Sequence, residues 1–384
     1  MNQAAIEKHR EWRGKIETHV KCPVETPEEL AIAYTPGVAD VCMEIRRDPS
    51  LSFSLTGRAN TVAVITDGTA ILGLGNIGPE AGMPVMEGKC ALFKTFGGVD
   101  AVPLCLRTTD TEEIIRIVKC LQGNFGGINL EDISAPRCFE IETRLKNELE
   151  IPVFHDDQHG TAIVMGAALL NAARVVGKEL PDLTVAINGA GAAGITIGKF
   201  LLKLGVGDVI MVDKCGILVR DGAYENKAHE AIAQITNKTG RRGKLADAMR
   251  GADVFIGVSV GNLVDEAMVR SMAERPIVFA CANPVPEITP ERALAAGAAV
   301  CGTGSSKYPN QINNVLVFPG MFRGTFDAHA DRITDAMMMA AATGIASVVS
   351  PEELSATYIL PKAVDHRAHR AVAEAVRRAA QARG

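Results

Sequence analysis

From Asn60 to Thr66 the chain reads NTVAVIT, β-branched and apolar at a period of two, which predicts a strand. Comparable runs follow in AVPLCL (101–106), GGINLEDI (126–133) and IPVFHDD (151–157). Between them, TDTEEIIRIVKCLQ (109–122) and PRCFEIETRLKNEL (136–149) repeat apolar residues every three or four positions and predict helices. GKCALFKTFGG (88–98) reads as a short helix. Thr26-Pro27-Glu28-Glu29 is a capping box that opens a helix, which Pro36 and Gly37 break. From Gly160 an Ala/Leu-rich helix runs to Gly177. Beyond it, strand and helix patterns alternate: LTVAINGAG, ITIGKFLLKLG, DVIMVD, GKLADAMRGA, DVFIGVS, NLVDEAMVRSMA, PIVFACANP. The last section reads as helical, with a second capping box at Ser350-Pro351-Glu352-Glu353 and a solvated terminal helix in HRAHRAVAEAVRRAAQARG.

This alternation predicts an α/β protein whose second part is a doubly wound parallel sheet of the Rossmann type. The expected division is 1–159 and 160–384, with the helical end left free to pack on either part.

G-x-G-x-x-G occurs twice. Gly189, Ala190, Gly191, Ala192, Ala193 and Gly194 follow a strand and open a helix, and the next strand ends at Asp213. That context is the full dinucleotide fingerprint, in which glycines admit the pyrophosphate and the acid holds the adenosine ribose. Asp213 favours NAD, whereas Lys214 and Arg220 lie close enough in sequence to serve a 2′-phosphate and keep NADP open. Gly73, Gly75 and Gly78 form the second match. Pro79 and Pro84 are expected to interrupt any helix there, so this stretch reads as a tight loop shaping a cleft.

Composition narrows the partners. A net charge of −5 offers no large positive field for nucleic acid. The charged start MNQAAIEKHREWRGKIE is no signal peptide, and no run approaches 18 apolar residues, so no membrane span is expected. Nine scattered cysteines without a C-x-x-C read as reduced, buried thiols in the cytoplasm.

Acids stand at three predicted strand ends: Asp67, Glu131-Asp132 and Asp156-Asp157. In parallel sheets such ends converge on one crevice, and hard oxygen donors without cysteine suit Mg²⁺ or Mn²⁺. His155 and His159 would suit a softer metal, or simply bond to backbone and neighbouring acids. Lys89, at the expected start of its short helix among apolar neighbours, is a candidate base with a lowered pKa, and Lys94 competes with it. Tyr34, in a Pro-Gly loop, is a candidate acid or a packed edge.

The stretches YTPGVA, TDGTAILGLGNIGPEAGMPVMEGK, LFKTFGGVDA, INLEDISAPRCFEIE, PVFHDDQHGTAIV, NGAGAAG, CANPVPEI and YPNQINNVLVFPGMFRG together resemble the malic enzyme family in its compact prokaryotic form. The resemblance spans about residues 20–365. It implies oxidative decarboxylation of (S)-malate to pyruvate and CO₂ with NAD or NADP, activity on oxaloacetate, and a divalent metal. It implies an N-terminal substrate and metal domain, and a homodimer or higher oligomer with the N-terminal segment crossing between subunits. Tyr34 then matches the acid that protonates the enolate, Lys89 the base at the C2 hydroxyl, and Asp156 an acid beside that lysine. Glu131, Asp132 and Asp157 match the metal ligands. Asn283 and Asn314, with Asn313 adjacent, match amides for substrate and nicotinamide. The larger forms place a carboxylate-binding arginine where Ala70 stands, so that clamp is expected from Gly-loop amides, Lys89 or the Asn313-Asn314 region. No C-terminal acyltransferase-like extension follows, so control through one is not expected. A malolactic conversion to lactate with retained NAD shares the same site, and a non-catalytic nucleotide sensor is the reading from another class.

Overall fold

The computed structural model describes residues 2–71 and 74–382. Gly73, of the Gly73-Gly75-Gly78 match, lies outside them. Among the described residues the strands form two sheets. The first, in order β2-β1-β3-β4, is parallel throughout: β1 (Thr61–Thr66), β2 (Asp100–Cys105), β3 (Gly127–Leu130) and β4 (Val153–His155). Its period of two sorts side chains between two cores. Val62 and Val64 enter one, Ala63 and Ile65 the other, which is why β1 is apolar on both faces.

The second sheet comprises β5 (Thr184–Asn188), β6 (Asp208–Asp213), β7 (Gly216–Ile217), β8 (Val254–Gly257), β9 (Ile277–Ala280) and β10 (Val300–Thr303). Their order is β10-β9-β8-β5-β6-β7. The order reverses between β5 and β8, the switch point where doubly wound sheets bind nucleotides. The short edge strand β7 runs antiparallel to β6, a hairpin too brief for periodicity to announce.

The helix Thr161–Val176 packs against the helices Ala192–Leu204 and Asp335–Ser347, twelve of its residues buried. With the preceding turn it forms a stretch, Asp156–Val176, that by length and composition alone could cross a membrane. Since 72% of its apolar window is buried inside the protein, it is a core helix. One continuous core runs from Val62 and Phe93 through Val164 to Val185 and on to Phe322 and Val372.

Two prolines do not stop the helix after the first glycine loop. Pro79 takes its first position, where no N–H is needed, and Pro84 lies inside the 19-residue helix Pro79–Gly97. Losing one backbone hydrogen bond at Pro84 is outweighed by burying Met86, Cys90 and Phe93, each worth about 1.5–3 kcal/mol.

The chain's end packs back on the first sheet. Phe318 and Phe322, from the helix Phe318–Asp327, lie 4.7 and 5.4 Å from Phe93, ring to ring. His369 stacks on Phe96 at 4.2 Å. The terminal helix His366–Gln381 is therefore not merely solvated: Ala368, His369, Val372 and Val376 form a buried stripe. At Ser350 the capping-box bonds form in both directions (3.2 and 3.3 Å), but a turn follows instead of a helix. The local bonds are there, without an apolar face to bury.

Residues 2–60 differ from everything else. Their helices Gln3–Trp12, Pro27–Ala33 and Val38–Arg47 contain no buried residue. Thr26 and Glu29 make the expected reciprocal cap, yet Leu30, Ile32 and Met43 stand exposed.

Candidate active site

Loops at the C-terminal ends of β1, β3 and β4 supply the acids. Asp67 does not join the others: its Oδ2 lies 2.8 Å from Arg137, and its Oδ1 accepts from the Thr69 amide. After β3 the backbone turns through Asp132, at φ +52°. The Asp132 amide donates to Asp157 Oδ2 at 2.7 Å, and its carbonyl accepts from the Ala70 amide at 3.0 Å. That amide, where the larger forms carry arginine, is thus already engaged. After β4 the chain makes one wide helical turn, Asp156–Gly160, of the π type that recurs at functional sites. A Cβ at Gly160 would sit 1.9 Å from Asp156 Oδ1, so only glycine admits the aspartate there.

Lys89 lies mid-helix rather than at a helix start. The single face it shares with Met86, Cys90 and Phe93 points at the acids. Its Nζ stands 2.6 Å from Asp156 Oδ2, 2.8 Å from Glu131 Oε1, and 4.1 Å from the centre of the Phe318 ring. Lys94, on the exposed side, pairs with Asp100. The expected depression of the Lys89 pKa is reversed. Burial pulls it down, but Asp156, Glu131 and Asp157 outweigh burial and hold the ammonium above its ordinary range.

One carboxylate oxygen from each of Glu131, Asp132 and Asp157 lies within 4.8 Å of the others. Burial raises all three carboxyls above the usual range against the pull of Lys89, and repulsion from neighbouring carboxylates adds to it, most at Asp132. Asp132 Oδ2 and Asp156 Oδ1 are buried without a hydrogen-bond partner. Crowded hard oxygens, one of them orphaned, fit a divalent cation of the Mg²⁺ or Mn²⁺ class. Of the histidines beside them, His155 lies with Nδ1 3.7 Å from Asp157 Oδ2 and neither ring nitrogen hydrogen-bonded, while His159 turns to Glu142. His155 is buried and its pKa is lowered to about 4, chiefly by burial. His159 lies 2.8 Å from Glu142 Oε1.

The amides come from the other side. Asn314 abuts the acid turn, its Cβ 3.2 Å from where a Gly160 side chain would begin. Asn313 Oδ1 is occupied, accepting from the Val315 amide at 3.0 Å. Asn283, exposed after β9, precedes a cis peptide to Pro284.

Where β5 passes into the helix Ala192–Leu204, the fingerprint glycines have distinct surroundings. A Cβ on Gly194 would strike the Gly189 carbonyl at 1.7 Å, whereas one on Gly191 would meet nothing within 4 Å. The first position packs loop on helix; the second faces the space a pyrophosphate needs. Asp213, at the end of β6, spends Oδ1 on the Cys215 and Gly216 amides, and its Oδ2 faces His229 Nδ1 at 3.8 Å. Lys214 and Arg220 are exposed.

Tyr34 is not brought to this cluster within one chain. It is 64% exposed at the end of the helix Pro27–Ala33 and makes no side-chain hydrogen bond among the described residues. Sequence reasoning passed over His229, whose Nε2 lies 2.8 Å from the Ala190 carbonyl in the glycine loop, and Glu142, buried behind the acid turn. A signal for Glu142 was available: with Cys138, Ile141 and Leu145 it completes a helical stripe in which it alone is charged.

The glycine loop on a switch-point sheet defines a dinucleotide-binding α/β protein, with a lysine–carboxylate cluster on a second, smaller sheet. Two family models match the chain: malic enzyme, N-terminal domain, over residues 13–146, and malic enzyme, NAD binding domain, over residues 158–381. The chain is 57% identical to an NAD-dependent malic enzyme of Geobacillus stearothermophilus over 96% of its own length and 78% of that protein's. It is 51% identical to a bifunctional malic/malolactic enzyme of Bacillus subtilis, over 100% and 94%. The crystal structure of an NAD-dependent malic enzyme from Thermotoga maritima superposes with a TM-score of 0.94 at 48% identity, over 97% of this chain and 98% of that one. The chain belongs to the malic enzyme family.

Proposed function

We propose that the chain oxidatively decarboxylates (S)-malate to pyruvate and CO₂ with NAD or NADP as oxidant, and also decarboxylates oxaloacetate. The observation that carries this is the buried Lys89 ammonium, within 2.8 Å of both Asp156 and Glu131 and beside the three-carboxylate cluster. Glu131, Asp132 and Asp157 would hold the divalent ion. Bound there, it supplies Lewis-acid stabilisation of the substrate oxygen and offsets the negative charge that keeps Lys89 protonated. The nicotinamide supplies the hydride acceptor, on the Gly189–Gly194 loop with Asp213 at the ribose.

Lys89, made neutral by passing a proton to Asp156 Oδ2 at 2.6 Å, takes the C2-hydroxyl proton at Nζ. Asn283 and Asn314 orient substrate and nicotinamide, with Asn313 shaping the loop beside them. Tyr34 returns a proton to C3. The exposed segment 2–60, with Leu30, Ile32 and Met43 unburied, supports a homodimer in which this segment crosses and brings Tyr34 to the partner's lysine. The two family matches and the two sheets support dividing the chain at residues 159 and 160. Nine free cysteines, of which Cys22, Cys42, Cys120 and Cys215 are exposed rather than buried as expected, support a reducing, cytoplasmic setting.

Likeness to a bifunctional malic/malolactic relative favours one alternative outcome, lactate formed with NADH retained. The test is steady-state turnover of malate with Mn²⁺ and either NAD or NADP, assaying pyruvate and lactate together. Pyruvate equal to the NADH or NADPH released supports the reading. Lactate without net reduced cofactor supports the malolactic one, and neither product defeats both.

A further inference from the structure

Two loops supply the three carboxylates: Glu131 and Asp132 lead into the helix Arg137–Glu148, and Asp157 sits in the turn after β4. The pairing of β3 with β4 and one bond, from the Asp132 amide to Asp157 Oδ2 at 2.7 Å, join these loops on the strand side. One side chain reaches from that helix to both ends of the turn. Glu142, 5% exposed, accepts from the His155 amide at 3.2 Å, just before the turn, and lies 2.8 Å from His159 Nε2, near its end. Lys146, one helical turn further on, pairs with it at 2.7 Å.

We infer that Glu142 is a positioning residue for the cation site: its carboxylate fixes the 155–159 turn against the Arg137–Glu148 helix and so sets Asp157 at its distance from Glu131 and Asp132. This rests on the reading of those three acids as the cation's ligands. Glu142 touches neither substrate nor cofactor; it acts through the backbone of His155 and the ring of His159. Its charge is secured for the purpose. Burial opposes ionisation, but His159 and Lys146 hold the carboxyl well below its usual range. A neutral amide of equal size accepts poorly from three donors at once, so Glu142→Gln loosens the turn without emptying the space.

Supporting groups behind metal ligands typically change affinity about 10- to 100-fold when replaced. Mn²⁺ binding to the full-length protein without malate, followed by the loss of free Mn²⁺ signal in electron paramagnetic resonance, reads this directly. Glu142→Gln is expected to weaken Mn²⁺ binding by about tenfold or more and to raise the Mn²⁺ concentration needed for half-maximal activity. The kcat at saturating Mn²⁺ and the Kd for NAD change much less. Asp157→Asn is the reference. If it keeps Mn²⁺ affinity, the ligand reading itself fails. If it loses Mn²⁺ while a folded Glu142→Gln protein binds as wild type does, the positioning inference is overturned. Should Glu142→Gln not fold, His159→Gln removes one grip only. An Mn²⁺ affinity about threefold weaker then supports the inference, and an unchanged affinity overturns it.

Discussion

The two sheets share an architecture and differ in what their strand ends carry. On the first, β1, β3 and β4 run out into Asp67, Glu131-Asp132 and Asp156-Asp157. On the second, β5, β8, β9 and β10 run out into Asn188-Gly189, Val258-Ser259, Cys281-Ala282-Asn283 and Gly304, with Asp213 at the end of β6 as the acid among them. Parallel sheets thus position whatever follows their strands, and the chemistry is chosen by one or two residues per loop. The first edge is built to handle a cation and a proton, the second to receive a large anion on backbone amides.

Separating the two edges experimentally tests that division. The largest effect is expected at Lys89: Lys89→Ala should lower malate turnover by about 10³-fold while NAD binding, measured by nucleotide fluorescence, stays near wild type. Mixing this protein with Tyr34→Phe should restore about a quarter of wild-type activity after subunit exchange, if tyrosine and lysine meet across a two-fold interface. No recovery would place both groups in one chain. Next, Asp157→Asn should weaken Mn²⁺ binding by about 100-fold with the cofactor Kd unchanged. The reverse pattern is expected of Gly191→Val: the Kd for NAD rises by about tenfold as its side chain fills the pyrophosphate space, and Mn²⁺ binding does not move. The mildest contrast is in pH. Carboxyls raised by burial and repulsion hold protons that a cation must displace, so Mn²⁺ affinity should climb as pH rises through neutrality. The slope is roughly tenfold per pH unit for each proton released. Isothermal titrations at pH 6, 7 and 8 would check this against a flatter profile for NAD.

The same division separates what the sequence revealed from what it hid. The second edge was nearly all legible, because a strand, three glycines and an acid about twenty residues on are local signals, and local geometry decides them. On the first edge the acids were visible as strand-end pairs, but their surroundings were not. Lys89 looked like a helix start because Pro84 is a local breaker, and only burial of Met86 and Phe93 carries the helix through it. Its pKa was expected to fall because the apolar neighbours are adjacent in sequence, whereas the carboxylates that hold it up are 42 or more positions away. Ser350 and Glu353 show the opposite failure, a complete local signal with no tertiary partner to make a helix of it. Tyr34 exposes a further limit: segment 2–60 buries no residue of its own, so no core contact fixes where its tyrosine acts.

The Phe318 ring beneath Lys89 also has a consequence for biosynthesis. Lysine and ring lie 4.1 Å apart in the folded protein but in the first and last thirds of the chain. At about 5–20 residues per second, a ribosome needs roughly 10–50 s to travel from one to the other. During that interval the nascent first sheet carries a lysine and its acids without their aromatic floor. The catalytic half of the molecule is therefore finished last, by a segment translated after the whole nucleotide-binding sheet.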